Sequence, residues 1–526
     1  MTPHLIILPI VLPLAASALL LLLGRQRRLE AALAVGASAA LLAVAIALVV
    51  AADGPGLTAA YRLGNWPAPM AIVLVVDRLS ALMVLLASTL GLLNAAFAIS
   101  RWSRLGPYYQ VLSQLLLMGL NGAFLTGDLF NLFVFFEILL AASYGLLLHG
   151  SGPRRVVSGL HYIVINLAAS LLFLIGVSVI FGVTGTLNMA VLAQRIPELP
   201  AATRSLLHAG AAILGMAFLV KAAAWPAGFW LPRTYDAATP PSAAMFAIMT
   251  KVGVYAILRL GLLCFGAGAG ASAGFGGPWV FVAGLATVGV GLVGMLAARD
   301  LGRLAGYSVL VSAGTLLAAI VFGDAGVLAG ALLYMAISTL AAAAFYLLGG
   351  LIGAEGGDEF EEPSLLEAYD PHSDGLFTEE DERAVTIPAP VGILSAGFLI
   401  CTLLIAGIPP LPGFMAKVAM LAPLLRAPEG PFPGAAVLLA TLVVVTSLLS
   451  LIALARAGIQ IWWAEPDRIR PTIRVGEAAP LAALLIALLM LTFVVEGPLG
   501  YIQRAADQAL DPTRYIEAVL GSGDRP

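Results

Sequence analysis

Four ionisable side chains stand inside apolar stretches of this chain. The run GDLFNLFVFFEILLAASYGLLLH, from Gly127 to His149, is almost wholly apolar and holds one interior acid, Glu137. At 1.5 Å rise per residue, Glu137 lies about 13 Å inside a helix that starts at Asp128. That is near the middle of a hydrocarbon core about 30 Å thick. The only three lysines, Lys221, Lys251 and Lys417, also sit in apolar stretches. The other 24 of the 27 basic residues are arginines, nearly all in loops, helix ends or the tail. An ionised group at that depth costs several kcal/mol unless it is paired or hydrated. Lysine can lose its proton when buried, whereas arginine keeps its own. One acid and three lysines so placed are parts for moving protons.

Lys221 stands five residues before Pro226, in a run that reads as an interrupted helix. A proline removes a backbone donor, and a broken helix at membrane depth leaves carbonyls free to hold water or an ion. Lys417 follows a similar break, GIPPLPG (407–413), and Lys251 lies between the two in the chain. Lys221 is the natural partner for Glu137. The competing account is a buried ion pair that only packs helices; such pairs stabilise weakly, so four such groups are hard to explain that way. His161, in GLHYIVIN, is a candidate relay or else a hydrogen-bonded packing histidine; the other four histidines get no role. GVGLVG (289–294) matches GxGxxG, but it lies within an apolar span with no strand before it. Close helix packing by small residues explains it better than a nucleotide. Cys264 and Cys401 cannot build a zinc or iron–sulfur site, and no metal or organic cofactor is implied.

These residues need a membrane scaffold. The chain has 526 residues, 60% hydrophobic and 11% charged. A soluble domain is about 25% charged, so this is an all-α polytopic membrane protein, with nothing that points to nucleic acid. Apolar runs predict about fourteen spans: 3–23, 29–51, 71–99, 107–126, 128–149, 156–182, 205–226, 240–262, 278–298, 303–322, 325–352, 388–426, 433–461 and 476–500. The first lacks the basic n-region of a cleaved signal and reads as a membrane helix. Loops after odd-numbered spans hold 15 arginines and those after even-numbered spans at most 6. Odd loops are therefore expected in the cytoplasm and both termini outside. The segment 354–387 holds 12 of the 30 acids and reads either as a solvated loop or as a docking surface for a basic partner. Residues 501–526 predict a short helix lying at the outer surface.

Four motifs then resemble a known family: NGAFLTGDLFNLFVFFEILL, KAAAWPAGFWLP, PPSAAMFAIMTKVGVYAILR and GIPPLPGFMAK. They are similar to those of the antiporter-like membrane subunits of respiratory complex I, membrane-bound hydrogenases and Mrp-type sodium/proton antiporters. LNGAFLTGDLFNLFVFFE and FWLPRTY look most like the D-type branch of the Mrp antiporters. The resemblance implies fourteen helices, with two inverted five-helix repeats and breaks in helices seven and twelve. It matches Glu137 to the family's helix-five glutamate, Lys221 and Lys251 to its lysines of helices seven and eight, and Lys417 to its helix-twelve lysine or glutamate. The expected divisions are N-terminal helices (1–106), a first half-channel (107–262), a second half-channel (278–461) and a last helix with its tail (476–526). There are departures. Ser312 and Ser338 stand where many relatives have histidine, Ala342 where they have lysine and Gly228 where they have histidine. Ser312 and Ser338, with other hydroxyls and water, are thus candidate relays between Lys251 and Lys417; the alternative is a second half that is not a full pathway. The implied function is proton translocation in a bacterial cytoplasmic membrane, exchanging Na⁺ for H⁺ with the other Mrp-type subunits. The alternatives are a redox-driven pump subunit of complex I or a hydrogenase, and an inert scaffold.

Overall fold

In this computed structural model the described residues are 3–23, 26–54, 58–66, 71–353, 389–426, 430–462 and 474–521. The expected acidic loop 354–387 lies outside them. The chain opens with α1 (Leu8–Leu23) and α2 (Arg27–Ala52), then a hairpin of β1 (Ala59–Arg62) and β2 (Val73–Val76), then α3 (Arg78–Ala98). A first set follows: α4 (Tyr109–Leu125), α5 (Leu129–Leu148), α6 (Pro153–Thr184), the short α7 (Met189–Arg195), α8 (Ala201–Lys221), α9 (Trp230–Ala237) and α10 (Pro240–Phe265). A second set is α11 (Gly277–Ala297), α12 (Leu301–Ala319), α13 (Ala325–Ile352), α14 (Ala389–Ala406), α15 (Pro412–Leu424) and α16 (Ala435–Trp462). The chain closes with α17 (Val475–Phe493), α18 (Glu496–Leu510) and α19 (Pro512–Leu520).

Each set has three long helices, one broken helix and a further long helix. Among the described residues, twelve helices are long and apolar enough to cross a membrane, and Leu8–Leu23 and Pro412–Leu424 are shorter apolar ones. Every expected span contains helix, but two limits shift. The run 71–99 begins as strand, with β1 pairing β2 antiparallel from Ala59↔Val76 to Arg62↔Val73. A short apolar run such as VLVV suits a buried strand as well as a helix. The helix waits for Asp77, whose side chain accepts from the Ser80 N–H at 2.8 Å while Ser80 Oγ receives the Asp77 N–H. The expected span 476–500 stops at Phe493, and the tail forms two helices instead of one surface helix. Their apolar faces, with Tyr501, Ile502, Tyr515 and Val519, are buried on α3, α13 and α7.

Burial sorts the helices. Exposed Leu160, Val164, Leu167, Leu171 and Ile175 make a helical stripe on α6, the outward face that a bilayer would cover. α10, α12 and α13 are enclosed nearly all round. Where backbones must approach closely, glycines permit it. A Cβ on Gly294 of the GVGLVG run would fall 2.1 Å from the Tyr307 ring, so this run packs α11 on α12.

Candidate ion-translocation site

Both broken helices end at a lysine or beside one. α8 stops at Lys221, and Pro226 supplies no N–H to continue it. The freed N–H of Trp225 donates to Thr287 Oγ1 of α11 at 2.8 Å. Gly228 folds so tightly that a Cβ there would lie 2.0 Å from the Ala223 carbonyl oxygen. On this backbone path no residue with a Cβ fits at position 228. In the second set α14 ends at Ala406, and the Lys417 ammonium donates back to its carbonyl oxygen at 2.9 Å. A half-helix C-terminus carries partial negative charge, which favours a cation there. Lys417 also donates to Ser447 Oγ at 2.8 Å.

Lys251, 1% exposed, donates to Ser312 Oγ at 2.6 Å. Ser312 and Ser338 share a hydroxyl hydrogen bond at 3.0 Å. Both serines line a cavity that also reaches Lys417, with Ser308, Thr446 and Ser450 on its wall. It has about 20 Å³ of room for water centres. One water needs about 10–15 Å³ by that measure, so a single water fits between the serines and Lys417. The two sequence-selected serines thus lead from Lys251 to a cavity that Lys417 also lines.

The first set is arranged differently from expectation. Among the described residues Glu137 and Lys221 make no direct ion pair. The Glu137 carboxylate accepts from Ser170 Oγ, and Lys221 Nζ lies 5.8 Å from the centroid of the Phe136 ring. The reason is rotational: one residue of α5, Phe136, presents its ring to the ammonium, while the next, Glu137, turns about 100° round the helix toward α6. Lys221 opens instead on a small cavity shared with Tyr162, Asn166 and Trp230. Trp230 Nε1 is buried there without a partner among the described residues, a donor suited to hold one water. His161 is not brought to this row. It lies on the exposed face of α6 and bonds back to the Val157 carbonyl at 2.9 Å.

Reading along the sequence missed Ser447, Ser170 and Trp230. The triple Thr446, Ser447 and Ser450 inside an apolar span was a signal available for the first of these. It also missed a buried pair, Asp77 and Arg259, 4% and 8% exposed, joined from Arg259 Nη2 to Asp77 Oδ1 at 2.9 Å. Tyr255 OH accepts from the same guanidinium at 3.1 Å, and the Tyr515 ring of the tail covers it.

Enclosed apolar helices, two interrupted ones and a row of lysines inside the bundle define a multi-pass membrane protein of antiporter-like architecture. Residues 126–450 match the family described as NADH:quinone oxidoreductase/Mrp antiporter, transmembrane. The chain is 48% identical over 530 residues to a probable K⁺/H⁺ antiporter D-type subunit of Rhizobium meliloti, covering 99% of this chain and 98% of the relative. It is 34% identical over 524 residues to the Na⁺/H⁺ antiporter D-type subunit of Alkalihalophilus pseudofirmus, covering 98% and 99%. A chain in the solved structure of the Mrp complex from Dietzia sp. DQ12-45-1b superposes with a TM-score of 0.81 at 27% identity, over 99% of this chain and 100% of that one. The chain belongs to the NADH:quinone oxidoreductase/Mrp antiporter family.

Proposed function

We propose that the chain is the D-type member of a multisubunit monovalent cation/proton antiporter, a transporter component and not an enzyme. It sits in a bacterial cytoplasmic membrane with both termini outside. Protons move through two half-channels, 107–262 and 278–461. Glu137 biases Lys221 through space in the first. Lys251 passes protons by way of Ser312, Ser338 and water to Lys417 in the second. One observation carries this reading: among the described residues the chain's three lysines lie inside the helix bundle, Lys251 and Lys417 buried and Lys221 partly buried, with no carboxylate bonded to any of them. Lysines that served packing would be paired, because an unpaired buried ammonium costs several kcal/mol. Lysines bonded to hydroxyls and a carbonyl are free to give up a proton.

The relatives divide over the cation, K⁺ in one name and Na⁺ in another. The Na⁺ expected from the motifs is therefore widened here to a monovalent cation. The intact complex in everted vesicles should collapse a pH gradient on addition of K⁺ or Na⁺. Lys251→Met should abolish this in normally assembled complex. Transport at the parent rate would overturn the reading, and so would activity surviving joint neutralisation of Glu137 and Lys221.

A further inference from the structure

One cavity lies apart from the lysine row. It opens where α9 meets α10 and where α13 ends, with a volume of about 260 Å³. Asp236, Tyr235, Tyr346, Arg155 and Trp102 are on its wall. Asp236 is ion-paired to Arg154 at 3.2 Å and to Arg303 at 3.6 Å, and both arginines reach solvent. The mouth is therefore polar and charged, as a water-filled one should be.

Tyr346 is the unexplained group. It is only 5% exposed, it lines this cavity, and its hydroxyl has no hydrogen-bond partner among the described residues. A buried hydroxyl is rarely left so, and water in the cavity is the available partner. The neighbouring Tyr235 is spoken for, since its hydroxyl donates to the Phe246 carbonyl at 2.7 Å. On α13, Tyr346 follows Ser338 by eight residues, two turns along the same face and about 12 Å apart. The residue between them on that face is Ala342, 3% exposed, whose side chain ends at Cβ and sets no hydroxyl or charge between the two. Ser338 is already joined to Ser312 and Lys251.

We propose that this cavity is the aqueous mouth of the lysine row, with the Tyr346 hydroxyl passing protons between it and Ser338. The tyrosine takes a proton onto its oxygen from water on one side and releases its own on the other. One O–H bond forms as another breaks, and the net charge of the side chain is unchanged. The inference rests on the proton pathway proposed above.

Tyr346→Phe removes one oxygen and keeps the ring. In the complete complex in vesicles it should lower the initial transport rate about tenfold or more. The half-saturating cation concentration and the amount of assembled complex should not change. Gly349 also lines the cavity, and a Cβ there meets nothing closer than Leu301 at 3.9 Å. Gly349→Cys should react with a small water-soluble thiol reagent in permeabilised membranes, and the reaction should lower transport; native Cys264 and Cys401 are buried. A Tyr346→Phe rate within about twofold of the parent, or a Gly349→Cys that stays unlabelled, would overturn the assignment. Lys251→Met run alongside separates the two levels. Loss there with a normal Tyr346→Phe overturns the mouth alone, whereas a normal Lys251→Met overturns the proton pathway itself.

Discussion

At the scale of the residue, what matters about each lysine is its partner. Lys251 has a neutral hydroxyl at 2.6 Å, where a packing role would require a carboxylate. Ser312→Ala therefore removes both the ammonium's partner and the first link to Ser338. The expected result is a fall in transport of about tenfold or more with normal assembly, read as cation-dependent proton movement in vesicles. Lys221 asks a sharper question. It faces a cavity with about 20 Å³ of room for water centres and no bonded carboxylate. Guanidinium holds its proton with a pKa above about 12. Lys221→Arg should therefore abolish antiport although charge is kept, scored by growth of an antiporter-deficient host at high salt and alkaline pH. Full rescue would mean that deprotonation of this lysine is no part of the mechanism. The absence of a direct Glu137 contact sharpens the test, because arginine gains no bidentate pair to offset the loss.

At the scale of the element, the tail is a clamp on the ends of α3 and α10. Tyr501 OH donates to the Arg78 carbonyl at 3.0 Å, and Arg504 pairs with Asp53 at 2.8 Å. The Arg504 hydrogen bond, helped by Arg78, holds the Asp53 carboxyl below its usual range. That contribution is present above the ordinary aspartate pKa of about 3.9 and is lost as pH falls through the lower folded value. The tail should thus stay docked at neutral pH and loosen only in strong acid. Beneath it, Asp77→Ala would leave Arg259 buried without its counter-charge, at a cost of about 3–5 kcal/mol. It would also remove the N-cap of α3. Less assembled complex on native gels is expected, and a parent-like yield would contradict the clamp. At the first break, Gly228→Ala would drive a Cβ into the Ala223 carbonyl, a backbone atom that cannot step aside. About 1–3 kcal/mol or more of destabilisation should follow, seen as lower thermal tolerance of the complex.

At the scale of the whole molecule, orientation is open to a direct measurement. The arginine bias, 15 against at most 6, predicts the α3–α4 loop in the cytoplasm and the start of α8 outside. Leu105 and Ala202 are exposed there. Ala202→Cys should react with an impermeant thiol reagent in intact cells, and Leu105→Cys only after permeabilisation. The reverse pattern would invert the protein. If the bias holds, the proposed mouth at Asp236 and Tyr346, on the Leu105 side with Trp102 on its wall, would open to the cytoplasm.

Composition and period along one chain were enough for the membrane class, the helix runs, both breaks and the four ionisable groups. Each is a local property: an apolar run long enough to span, a proline without an N–H, a lysine where its charge is costly. Even the packing role of GVGLVG followed from small residues inside an apolar run. Partnerships were decided only by tertiary structure. Asp77 and Arg259 are 182 positions apart, and nothing along the chain says that α3 and α10 bring their ends together. Likewise the sequence placed Glu137 and Lys221 at similar depth, but depth is set by position along a helix and contact by rotation about its axis. The packing of α5 against α6 turned Glu137 to Ser170 and left Lys221 to its cavity. Ser312 and Ser338 became a link for the same reason: the enclosure of α10, α12 and α13 around one another points three faces inward, and only then do two serines reach from one lysine toward another.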